Sequence, residues 1–132
     1  MRFEKKHEGI HYAITLRPSS KPDELLKSLK ELEIEVYRKS LEGHRRGYVW
    51  RISFDSELKE LKIEKYEDRH DWSGSYRRLM EVISIRADWI EVWKVRDVES
   101  IIRDLGVKGA IEHILRHLKL VFDHPLVIPL IR

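Results

Sequence analysis

Apolar and polar residues alternate at the start of the chain. In "IHYAITLR", Ile10, Tyr12, Ile14 and Leu16 fall on one side, and His11, Ala13, Thr15 and Arg17 on the other. A period of two predicts a half-buried β-strand. The period then changes. In "PSSKPDELLKSLKELE", Leu25, Leu29 and Leu32 recur at helical spacing, with Leu26 at the edge of the stripe. Ser20 can cap that helix, Pro22 sits in its first turn where a missing N–H costs nothing, and Glu24, Lys27 and Glu31 are spaced as helix charge pairs. "IEVYRKSL" (34–41) predicts a second strand and "EGHRRG" a turn. "YVWRISF" (48–54) predicts a third strand, joined to the second as an antiparallel hairpin.

Further along, the periods mix. "LKELKIEKYEDRHDW" fits neither well, and a short strand over 61–66 is the better reading. "SGSYRRLMEVISIR" places Tyr76, Leu79, Met80, Ile83 and the following Ala87 on one helical face, which predicts a helix, although "EVISIR" also reads as a strand. A strand is expected over 89–95. Asp97 starts a helix through Leu105, Gly106 ends it, and a last helix over 107–122 carries Val107, Ile111, Ile114, Leu115, Leu118 and Phe122. The tail "HPLVIPLIR", interrupted by Pro125 and Pro129, reads as extended, and either packed or held by a partner. The order β-α-β-β-α-β predicts an α+β sandwich of ferredoxin-like type with two additional C-terminal helices, in one domain over 1–132.

Composition narrows the chemistry. Charged residues make up 37% of the chain, well above the usual quarter. The sequence has no Cys, Asn or Gln, and Thr15 is its one threonine. Replacement of thermolabile residues by Lys, Glu and Arg predicts a thermophilic, intracellular protein rich in ion pairs. Absence of Cys excludes disulfides, thiolate metal sites and cysteine nucleophiles. No run reaches the roughly 18 apolar residues of a spanning helix, and "MRFEKKHEGI" lacks an apolar signal core, so the cytoplasm is the expected location and no membrane partner is expected. A net charge of +3 permits a nucleic-acid partner without demanding one.

The candidate sites start at the third strand. "RGYVWRISF" resembles the RNP1 segment of RNA-recognition motifs, with Arg46, Gly47, Tyr48 and Trp50 in matching positions. Val49, Arg51 and Ser53 stand where that segment has a small, an aliphatic and an aromatic residue. The pleat argues for the opposite orientation. Tyr48, Trp50, Ile52 and Phe54 form one apolar face, and each large apolar side chain gains about 1.5–3 kcal/mol by burial. That leaves His11, Thr15, Arg17, Tyr37, Arg51 and Ser53 as a polar, basic sheet face beside the basic turn.

Three other clusters bear on chemistry. His113 and His117 lie four apart, with Asp123 and His124 beyond them, a spacing that could hold zinc; both histidines fall away from the apolar stripe, so they read as solvated and no metal is expected. "IIRDLGVKGAIEHILRHL" has the outline of a helix-turn-helix, but Ile102 and Glu112 occupy positions that normally carry a small and an apolar residue. "HDWSGSY" gathers His70, Asp71, Ser73 and Ser75 near a glycine and reads as a helix cap. The chain contains no phosphate-binding loop or nucleophile elbow, so no cofactor and no catalytic set is expected. The expected function is a nucleic-acid module, preferably for RNA, in which His11, His44, Arg45, Arg46, Arg51, Arg77 and Arg78 meet phosphates. The alternative is a homo-oligomeric protein-interaction or structural domain, a dimer without catalytic activity.

Overall fold

The computed structural model describes residues 1–19, 28–55, 57–86, 88, 93–122 and 127–130. Seven strands follow the chain in order: β1 (Arg2–His7), β2 (Ile10–Pro18), β3 (Leu29–Lys39), β4 (Arg45–Asp55), β5 (Glu60–Asp71), β6 (Gly74–Arg86) and β7 (Val127–Leu130). Each pairs antiparallel with the next, so the sheet is a meander without crossovers. One helix, α1 (Val95–Phe122), lies between β6 and β7 in sequence. This overturns the ferredoxin-like expectation, because among the described residues no helix separates β1 to β6.

Two β-bulges account for the helical spacing seen in the sequence. In β3, Glu31 faces Arg17 but Leu29 faces Pro18, which leaves Lys30 as an extra residue. Leu29 and Leu32, three apart, therefore both reach the core, at 4% and 1% exposure. In β6, Glu81 faces Lys65 and Leu79 faces Tyr66, which leaves Met80 as the extra residue. A bulge inserts one residue into a period of two, so residues of one face come to stand an odd number apart, three for Leu29 and Leu32 and seven for Tyr76 and Ile83, as they can on a helix, while Leu79 turns to the opposite face. The helix expected over 73–86 is therefore strand β6. The end of the helix expected from Ser20 is the start of β3, while residues 20–27 lie outside the described residues. Of the strand expected over 89–95, residues 89–92 are likewise outside; Lys94 makes an isolated bridge with Ser28, and Val95 already begins α1.

Where the sequence alternates with a period of two, the structure has strands. β2 and β4 cover the segments expected, and the short strand at 61–66 is the middle of the twelve-residue β5. The two C-terminal helical segments follow one another within α1, which is broken where expected, at Gly106, whose φ of 75° and ψ of 172° lie in a region open essentially to glycine alone. The tail is extended over β7, which pairs with Val82–Ile85 of β6.

The core lies on one face of the sheet. Ile14 and Leu16 of β2, Leu32 and Ile34 of β3, Ile52 of β4, Leu61 and Ile63 of β5 and Ile83 and Ile85 of β6 meet Val98, Ile102, Ala110, Ile111, Ile114 and Leu118 of α1. The helix start is tied to β3, where the Leu29 N–H donates to the Trp93 carbonyl at 2.8 Å. At the opposite end of the strands nothing described covers this helix-side face, and Tyr48 is 42% exposed there.

Gly47, opposite Tyr37, is a close approach between β3 and β4. A Cβ there would stand 2.1 Å from the Val36 carbonyl oxygen and 2.6 Å from the Tyr37 Cβ. Gly47→Ala is expected to lower unfolding stability by about 1–3 kcal/mol in urea denaturation, the usual scale of overpacking. An unchanged midpoint would contradict the packing described.

Candidate functional site

Register assigns every sheet side chain to one of two faces. The face away from α1 carries His11, Thr15 and Arg17 of β2, Glu31, Glu33, Glu35 and Tyr37 of β3, Arg45, Val49 and Arg51 of β4, and Tyr66 and Asp68 of β5. Its arginines are all paired. Arg45 reaches Glu35 at 2.7 Å and Asp68 at 3.5 Å, and Arg2 reaches Glu35 at 2.5 Å. Arg17 contacts Glu31 at 3.1 Å and Glu33 at 3.3 Å, and Arg51 contacts the same pair at 2.8 and 3.7 Å. Arg77 meets Asp68 at 3.5 Å, and Arg86 meets Glu60 at 3.3 Å.

Aromatic rings interleave with this lattice. The Arg45 guanidinium sits 3.7 Å from the Tyr37 ring centre, and His11 stacks on the same ring at 4.8 Å. Arg51 and Arg77 lie over Tyr66, whose hydroxyl donates to Glu64 at 2.6 Å. Burial, with help from that bond, raises the Tyr66 hydroxyl pKa. The guanidiniums cover the carboxylates so well that Glu33, Glu35 and Asp68 are each less than one-tenth exposed. Burial alone would raise the Glu35 carboxyl, but the hydrogen bonds from Arg2 and Arg45 outweigh it and hold the group below the usual carboxylate range.

The helix-side face differs at its uncovered end. Arg38 of β3 faces Arg46 of β4, Arg46 faces Arg69 of β5, and Arg69 faces Tyr76 of β6. All four side chains are exposed. Among the described residues Arg38 and Arg46 have no carboxylate partner, and Arg69 reaches only Asp71, at 3.9 Å. One rung inward lie Val36, Tyr48 and Glu67, the last held by Arg78 at 3.2 Å. Lys65 of the following rung stands 4.9 Å from the Tyr48 ring centre and 5.5 Å from that of Trp50.

Two hollows flank the Arg38–Arg46 pair. One, about 250 Å³, is walled by Ile10, Val36, Tyr48 and Glu67. The other, about 310 Å³, opens toward the β5–β6 turn and is bordered by Arg69, His44, His70 and Trp72. Trp72, at the tip of that turn, is 88% exposed.

The candidate residues read from sequence therefore separate. His11, Arg45, Arg51 and Arg77 belong to the paired lattice, and His44 lies in the β3–β4 turn, 3.8 Å from Glu42. Arg78 points to the helix-side face and is engaged by Glu67, and Arg46 alone of the seven is exposed there without a partner. Arg38, Arg69 and Trp72 do not stand out in the sequence. The signal that could have found the arginines is register, because "YRK" and "DRH" flank "RRG" on its two sides, residue for residue, only once β3, β4 and β5 are aligned. Ser73 and Asp71 cap no helix; both the N–H and the hydroxyl of Ser73 donate to Asp71 within the β5–β6 turn.

His113 and His117 are both exposed on α1, and His117 lies 6.2 Å from Trp93 between ring centres. Among the described residues no group of three side chains could hold a metal ion, and His124 lies outside them. Among them, too, no helix is long and apolar enough to cross a membrane. No protein-family model, no curated protein and no solved structure matches the chain.

A carboxylate whose folded pKa is depressed stabilises the fold above its unfolded pKa and loses that contribution as pH falls through the folded value. Stability should thus decline as acid is added below about pH 5. Glu35→Gln should be less stable at neutral pH by about 1–3 kcal/mol and lose less on acidification, as read by thermal unfolding across pH. An acid profile identical to that of the unsubstituted protein would remove Glu35 from this role.

Proposed function

We propose that the chain is a nucleic-acid-binding module, with RNA the preferred partner, and that the uncovered end of the helix-side face is its contact surface. The observation that carries this reading is the file of Arg38, Arg46 and Arg69 across three neighbouring strands. Like charges directly opposite in a sheet are destabilising. Elsewhere the same sheet pairs its arginines with glutamates and aspartates. Here it keeps two arginines in register with no carboxylate between them, which is the arrangement an anionic ligand completes. Phosphate oxygens accept from guanidinium N–H groups in the paired geometry a carboxylate would use.

Several of the residues expected from the sequence lie away from this contact. Arg45, Arg51 and Arg77 would have to abandon buried carboxylates to meet a phosphate, leaving those carboxylates unpaired. Arg46 stays in the site, joined by Arg38, Arg69 and Lys65.

Binding to an RNA oligonucleotide should weaken steeply between low and moderate salt, with a logarithmic slope that counts the phosphates neutralised. Arg38→Ala with Arg46→Ala should reduce affinity about tenfold or more and flatten that slope by about one unit for each phosphate no longer neutralised. Arg86→Ala, on the opposite face, should leave both unchanged. Fluorescence anisotropy titrations over a salt series provide the measurement. No binding of RNA or DNA at low salt would overturn the proposal.

A further inference from the structure

We infer that the ligand is single-stranded, with one backbone phosphate held between Arg38 and Arg46 and the flanking bases placed in the two hollows on either side. This rests on the reading of the arginine file as a nucleic-acid contact. It adds a statement about strandedness that the charges alone do not make.

Charge and exposed rings stand side by side on this surface. Arg38 and Arg46 border both hollows, so a phosphate on that pair has a cavity to each side. The first hollow has apolar walls in Ile10 and Val36 and the exposed ring of Tyr48. Lys65 stands 4.9 Å from the centre of that ring, packed on it, and Tyr48 and Trp50 lie 6.1 Å apart, so the ring is held in place. The second hollow has the indole of Trp72, which has no burial to explain its position at a turn tip. A large aromatic ring left 88% exposed forfeits most of the gain it could make in the core.

Aromatic faces beside a basic track are what unpaired bases require. Each base offers a π-face regardless of identity, and stacking it on an aromatic side chain is worth a substantial part of single-strand affinity. In a duplex the bases are already stacked on one another, so their faces are covered and only phosphates, sugars and base edges are presented. A duplex could meet the arginine file but would leave Tyr48 and Trp72 without a role. Single-stranded RNA and DNA share this chemistry, so mixed-sequence oligomers of each serve as probes.

The test compares one oligonucleotide as a single strand and as a duplex in anisotropy titrations. The single strand is expected to bind more tightly. Tyr48→Ala and Trp72→Ala should each weaken single-strand binding about 5- to 100-fold while leaving the salt slope unchanged. Tyr48→Phe and Trp72→Phe should restore most of it, because a phenyl ring still stacks. Both residues are exposed, so neither variant endangers the fold, and unchanged urea midpoints verify this. Equal affinity for duplex and single strand, with no effect of either alanine variant, would overturn this inference. If Arg38→Ala with Arg46→Ala still abolished binding in that case, the nucleic-acid reading would stand without it. Failure to bind any oligonucleotide, together with Trp72-dependent retention on anionic phospholipid vesicles, would overturn both.

Discussion

Among the described residues a single helix has to cover a seven-stranded sheet. Strands lie about 4.8 Å apart, so the sheet is roughly 30 Å wide, while a helix with its side chains measures about 10–12 Å. The kink at Gly106 lets α1 keep Val98 and Ile102 before it and Ala110, Ile111, Ile114 and Leu118 after it on the same core. Even so, at the Tyr48 end of the strands nothing described covers the helix-side face. Everything else in the structure follows from how the uncovered surface is managed.

On the face away from the helix it is managed by charge. Arginines reach diagonally across neighbouring strands and share carboxylates, so that Glu35 serves Arg2 and Arg45, and Glu31 and Glu33 serve Arg17 and Arg51. The aliphatic stems and flat guanidinium heads shield the sheet, and Val49, which points to this face, is only 1% exposed. An isolated surface ion pair is worth little, but shared carboxylates with charge-assisted hydrogen bonds lower one another's cost. The 37% charged composition is therefore structural in large part. High Lys and Arg content in such a chain says little about an anionic ligand until the paired groups are set aside.

Setting them aside leaves the arginine file. The same β4 strand feeds both surfaces. Arg45 and Arg51 turn to the lattice, while Arg46, Tyr48 and Trp50 turn to the helix side. Along that side the apolar pattern continues past the reach of α1, so Ile52 is core at 3% exposure and Tyr48, four residues earlier, is open at 42%. The face read from the sequence as core over Tyr48–Phe54 is thus core at its Ile52 end and open at its Tyr48 end.

Much of the β-structure was legible in the residues. Clean alternation in Ile10–Arg17 and Tyr48–Phe54 marked two strands, and the glycine-bearing turn over 42–47, whose last three residues are the start of β4, marked their antiparallel neighbour, because a period of two is a local property of the chain. Gly106 announced a break in the last helix for the same kind of reason. The bulges at Lys30 and Met80 were not legible. A bulge exists only in relation to the partner strand, and on its own the shifted spacing is indistinguishable from a helix, so the start of β3 and the whole of β6 read as helix and the ferredoxin-like fold class followed from that. Nor could the sequence separate paired from unpaired arginines. Arg45 and Arg46 are adjacent in the chain, and which one meets Glu35 and which one faces solvent depends on pleat and register across β3, β4 and β5. Local periodicity is written in the residues themselves, whereas charge pairing is a relation between strands, and only the tertiary structure decides it.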